Sequence, residues 1–164
     1  MEPEFSSEAL RALIEQADGS ATEICGLMLG TAGRIERLVA AHNVADDPAR
    51  HFEIDPAALF EALRAERRGG AAVLGWYHSH PSGDPDPSAT DAAQAAADGR
   101  LWLIAGGGRV RLWRAVADGE RHGRFDAVRF AVRTGGHVEK DCEAVHMDRA
   151  GRTMTFAKAQ GSPH

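Results

Sequence analysis

Apolar residues along this chain recur at two spacings, and the switches between them predict its elements. Leu10, Leu13 and Ile14 stand at helical intervals after the cap candidates Ser6-Ser7-Glu8, and Asp18-Gly19 stops the run, so a helix is expected from about Ser7 to Ala17. Two apolar runs, Glu23 to Gly30 and Arg34 to Ala40, flank Thr31-Ala32-Gly33 and predict a hairpin with Glu23 at the start of its first strand. The polar stretch Asn43 to Arg50, with its Asp47-Pro48, reads as an exposed connection to a short Phe52-Glu53-Ile54 strand. Asp55 caps a second helix, in which Pro56 suits the first turn and Leu59, Phe60 and Leu63 form a stripe to pack on the sheet.

Ala71 to His80 has the continuous apolar character of a central strand, with two histidines out of keeping at its end. Pro81 to Pro87 is a loop stiffened by prolines, and the alanine-rich Ser88 to Asp98 predicts a helix. Leu101 to Ala105, Val110 to Val116 and Phe125 to Val132 predict three further strands, the first two joined by Gly106-Gly107-Gly108. This order gives an α/β fold, a mixed sheet flanked by helices, over residues 1–133. Residues 134–164 are polar and glycine-bearing without a long periodic run, and read as a peripheral, partly disordered C-terminal tail.

A length of 164 residues fits one domain, and 43% hydrophobic with 26% charged residues is ordinary for a soluble globular protein. The formal charge of −5 offers no field for phosphate backbones, so nucleic acid is not an expected partner. Arg64, Arg67 and Arg68 read as the solvated end of a helix. No apolar run approaches the roughly 20 residues of a membrane helix, and the first residues lack the pattern of a secretory signal, so the expected location is the cytoplasm. Cys25 and Cys142 are too few for a disulfide framework, and Cys25, inside an apolar strand, reads as a small hydrophobe.

His78 and His80 carry the chemistry. Residues two apart on an extended strand point the same way, so both imidazoles can converge on one ion. The stiff loop then delivers Ser88 and Asp91, with Asp84 and Asp86 as rival carboxylates. Three N and O ligands with a fourth position for water form the pattern of a catalytic zinc site, in which the ion acidifies water and polarises a carbonyl. Taken singly, Ser88 and Asp91 also form a capping box, and Glu23 is simply a polar residue at a strand start.

Together these residues match a family. His78-Ser79-His80, seven residues, Ser88, two more and Asp91 resemble the JAMM signature of the MPN-domain metallopeptidases, and Glu23 to Gly30 resembles the strand that carries their catalytic glutamate. The element order is similar to that of a compact bacterial member. The resemblance implies Zn2+ held by His78, His80 and Asp91, Glu23 as general base and acid, and Ser88 stabilising the oxyanion. It also implies a fold like that of the cytidine deaminases, and hydrolysis of a peptide or isopeptide bond at the glycine-rich tail of a ubiquitin-like or sulfur-carrier protein.

Two rivals were weighed. A deaminase needs Pro-Cys-x-x-Cys, which is missing after both His51-Phe52-Glu53 and His137-Val138-Glu139. A non-catalytic scaffold of the same fold would lack part of the metal set, whereas all five positions are filled. Cys142 and His146 have no further partners at the spacing of a second metal site.

Overall fold

A computed structural model describes residues 2–157 of the chain. Strand β1 (Glu4–Ser6) leads directly into helix α1 (Ser7–Asp18), whose N-cap Ser6 accepts a hydrogen bond from the Ala9 amide. The predicted hairpin is β2 (Cys25–Thr31) and β3 (Arg34–Ala41), turned through Ala32 and Gly33 at positive φ. Helix α2 (Pro56–Arg67) is capped by Asp55, and β4 (Ala72–Ser79) is the central strand expected before the histidines. Helix α3 (Ala89–Gln94), β5 (Leu101–Gly106), β6 (Arg109–Gly119), β7 (Gly123–Val128), β8 (Phe130–Thr134), β9 (His137–Met147) and β10 (Thr153–Ala157) complete the described chain.

The strands form one mixed sheet in the order β10-β9-β8-β1-β3-β2-β4-β5-β6-β7, and a further β9–β6 pairing bends it round on itself. Inside the curve, Leu10, Leu13 and Ile14 of α1 pack with Phe5, Met28, Tyr77, Leu103 and Val145. On the other face of the central strands a second cluster gathers Phe52, Trp102, Ile104, Trp113 and Phe125. β4 lies between antiparallel β2 and parallel β5, so the strand that carries His78 and leads into His80 is held on both edges.

Five expectations need correction. The stretch beyond Thr134 is ordered as far as Ala157: β9 pairs with β8 and β6, and Cys142 and Val145 are fully buried, while residues 158–164 of the expected tail lie outside the described residues. The expected Phe125 to Val132 strand divides at Arg129, because β7 pairs with β6 whereas β8 crosses to β1 and β9. The third helix stops at Gln94, where Ala95 turns extended and is buried against the second cluster. Phe52-Glu53-Ile54 contributes only an isolated bridge from Ile54 to Asn43. Phe60 is 65% exposed, since Leu59 and Leu63 alone turn toward the sheet.

Val145→Ala tests whether β9 belongs to the core. Its side chain is fully buried, so the change should destabilise the protein by about 2 kcal/mol in urea denaturation, against less than about 0.5 kcal/mol for a solvated tail residue.

Candidate active site

At the end of β4 the alternation of the strand sets His78 on the same face as Trp76, opposite Cys25 of β2 and Ile104 of β5. The His78 ring is completely buried, stacked on Phe52 at 4.2 Å between centroids and edge-on to Trp102. Its Nδ1 has no hydrogen-bond partner, so packing against Phe52 and Trp102 rather than an acceptor on Nδ1 orients this imidazole. His80 lies just past the strand, where its amide donates to the Ala105 carbonyl and its Nδ1–H donates to the Asp84 carbonyl at 2.6 Å. That bond fixes the tautomer and leaves the Nε2 lone pair free.

The loop returns the chain so that Ser88 caps α3. Ser88 Oγ accepts from the Asp91 amide, and the Asp91 carboxylate accepts from the Ser88 amide, both at 3.0 Å. The same Asp91 Oδ2 stands 3.2 Å from His78 Nε2 and 3.0 Å from His80 Nε2, and the two ring nitrogens are 3.1 Å apart. Capping and convergence on the histidines are therefore one arrangement.

Glu23 approaches from the opposite side, with Oε1 4.0 Å from His78 Nε2. Three bonds hold its backbone surroundings. The Glu23 amide donates to the Pro48 carbonyl at 2.7 Å, the Asn43 side chain donates to the Glu23 carbonyl at 2.8 Å, and the next amide, Ile24, donates to Ser79 Oγ at 2.9 Å. Asn43 also donates to the His51 carbonyl and accepts from the amides of Ala45 and Glu53. The stretch read as a mere connection thus begins with the residue that ties Glu23 to the 43–53 segment. Asn followed by a turn was a signal available in the sequence; Ser79, hidden between two histidines, gave none.

Glu23, His78, His80 and Asp91 each offer a ligand atom within 4.8 Å of the others. Burial pushes the Glu23 carboxyl up to about 7, partly offset by His80 and reinforced by the neighbouring Asp91 charge. Complete burial lowers His78 and keeps it neutral. Burial also disfavours the Asp91 charge, but the imidazoles and the Ser88 amide outweigh it and hold the carboxyl well below the usual range. Burial works against a charged His80 ring, but the Asp91 carboxylate and the Asp84 carbonyl outweigh it and raise its pKa, so a metal ion bound there would displace a proton.

The donor atoms fit an ion. Ligands about 2.0 Å from a tetrahedral centre lie roughly 3.3 Å apart, close to the observed 3.0–3.2 Å. Of the rival carboxylates, Asp84 bonds the Asp86 amide and Asp86 pairs with Arg111, so neither joins the cluster. Among the described residues no second group of metal-ligating side chains forms; Cys142 is buried in the core. Ser88, His80 and Glu23 line an open cavity of about 310 Å3 with Arg50, Pro81 and Asp84.

Residues 6–116 match the family described as prokaryotic homologs of the JAB domain. A desampylase of Haloferax volcanii is 40% identical over 85 residues, covering 50% of this chain and 60% of that protein. A probable TtuB-protein conjugate cleaving protease of Thermus thermophilus is 42% identical over 66 residues, 39% of this chain and 45% of that protein. The chain therefore spans less than two thirds of the length of either. A solution structure of a Desulfitobacterium hafniense protein shares the fold, with a TM-score of 0.67 at 24% identity over 79% of this chain and 92% of the other.

Metal-free protein should carry the signature of the raised Glu23 carboxyl. A carboxyl near 7 when folded and 4.5 when unfolded contributes stability that is complete below pH 4.5 and lost as pH rises through 7. Glu23→Gln, which stays neutral, should escape that loss, so in chelator its stability relative to wild type should grow between pH 5 and 8 when read by urea denaturation.

Proposed function

Because the chain belongs to the family of prokaryotic homologs of the JAB domain, we propose that it is a zinc-dependent peptidase or isopeptidase acting on the C-terminal tail of a ubiquitin-like or sulfur-carrier protein. The observation that carries this reading is the approach of His78 Nε2, His80 Nε2 and Asp91 Oδ2 to within 3.0–3.2 Å of one another beside an open cavity that His80, Glu23 and Ser88 line. The names of the relatives support the substrate class, since one is a desampylase and another a probable protease of TtuB-protein conjugates.

His78, His80 and Asp91 would hold the zinc, which when bound acidifies water and polarises the scissile carbonyl. Glu23 takes the proton of the attacking water and returns it to the leaving amine. Its elevated pKa of about 7 suits both halves of that shuttle, because a group poised near ambient pH gives up a proton as readily as it accepts one. Ser88 Oγ is already accepting from the Asp91 amide, which leaves its hydroxyl hydrogen to donate to the oxyanion that develops on the substrate carbonyl. Asp91 stays ionised throughout, and His78, walled by Phe52 and Trp102, is shielded from water on its far side.

A mixed sheet with the ligands at the end of a central strand also supports the likeness to cytidine deaminases implied by the sequence. Among the described residues no helix is long and apolar enough to cross a membrane, and we assign the protein to the cytoplasm.

Incubation with a β-grasp protein extended beyond its terminal Gly-Gly, or conjugated through it, should release the mature form by mass spectrometry. Glu23→Gln should lose roughly 100- to 10,000-fold in rate while keeping its zinc. His80→Ala should lose both. Undiminished cleavage by Glu23→Gln, or wild-type protein that binds no zinc, would refute the mechanism.

A further inference from the structure

The Asp84 carbonyl on His80 Nδ1 belongs to a loop with no ladder to hold it. Pro81, Pro85 and Pro87 supply no amide donors, and Gly83 sits at φ +93. Yet the 2.6 Å contact fixes which nitrogen of His80 faces the cluster, and the same loop delivers Ser88 and Asp91.

Two structures press on this loop. Beneath it the turn between β5 and β6 comes into backbone contact: a Cβ on Gly106 would stand 2.9 Å from the Asp84 backbone, and one on Gly107 2.5 Å from the Gly83 carbonyl oxygen. Beyond it, β6 reaches over. Trp113 Nε1–H donates to the Pro85 carbonyl at 3.1 Å, and Arg111 Nη1 donates to Asp86 Oδ1 at 2.6 Å. The Arg111 guanidinium lies over the Trp113 ring at 4.5 Å, with Arg121 at 5.6 Å and also 3.6 Å from Asp86 Oδ2. The indole is 1% exposed, so it serves as a fixed platform that orients the arginine.

We propose that Arg111 and Trp113 are positioning residues: by clamping Asp86 and Pro85 they hold the Asp84 carbonyl on His80 Nδ1 and so set the imidazole for metal binding. Neither touches the cluster. A flexible loop would let His80 rotate or exchange tautomers, and its loss as a ligand would weaken the site without removing any ligating atom. The inference rests on the metal reading of His78, His80 and Asp91, but half of its test does not.

That half is the ring itself. Nitrogen-15 NMR of the metal-free protein, recorded at a pH high enough to leave the His80 ring neutral, should find its proton on Nδ1 in the wild type and a mixture of tautomers in Arg111→Ala. In the other half, Zn2+ affinity is measured by competition with a chromophoric chelator. Arg111→Ala should bind roughly 10- to 100-fold more weakly, the range typical of lost outer-shell partners. Arg111→Lys, which keeps a cation for Asp86, should recover most of that loss, and Asp86→Asn combined with Arg111→Ala should lose little more than either alone. A folded Arg111→Ala protein with an unchanged His80 tautomer and unchanged Zn2+ affinity overturns the clamp. Wild-type protein without Zn2+ affinity overturns the metal reading instead, and leaves the clamp to be decided by the tautomer.

Discussion

Four ionisable side chains gathered within 4.8 Å, with Glu23, His78 and Asp91 almost wholly removed from water, set the terms for everything around them. An isolated buried charge is expensive, and a fold tolerates such a group only where protons, hydrogen bonds or an ion neutralise it. Each surrounding element answers part of that demand. The Ser88 amide supports the ionised Asp91, the apolar box of Phe52 and Trp102 keeps His78 neutral, and desolvation holds Glu23 at the edge of ionisation. The remaining demand is the shared point that the two ring nitrogens and Asp91 Oδ2 face, a point that a metal ion could fill.

Much of this was legible in the chain, and the reason differs between fold and site. α1, β2 and β4 were readable because α1 buries residues at helical spacing and the two strands are apolar and buried along most of their length, so pattern and burial agree. β9 was not, since five of its first residues face solvent and only Cys142 and Val145 turn fully inward; its order comes from pairing with β8 and β6, which leaves no trace in hydropathy. β7 and β8 read as one apolar segment although they belong to different neighbours, because a change of pairing partner does not alter which residues are apolar. At α3, alanine propensity favoured a longer helix than the packing of Ala95 permits.

Among the site residues, strand geometry alone brought His78 and His80 together. Glu23, Ser88 and Asp91 depended on the joint spacing, and the structure gathers Glu23 and Asp91 with the histidines and sets Ser88 at the cavity rim. What the sequence concealed is the support: Ser79 accepts from the Ile24 amide far back in the chain, and the Asp84 carbonyl reaches back to His80 within a loop that has no regular pattern. Such bonds use common residue types in unremarkable positions, and only folding reveals what they hold.

The position of β1 has a bearing on how the molecule is made. It lies parallel to and between β3 and β8, with Phe5 opposite Val132, so three of the earliest residues wait for a partner that leaves the ribosome more than a hundred residues later. Loop-closure entropy makes such a pairing slow. Glu23, His78, His80 and Asp91 all precede β5, so during synthesis β2 and β4, which flank or carry Glu23 and the histidines, are available to pair while the ring is still open. The ligand-bearing ladder can form first, and the sheet shuts behind it.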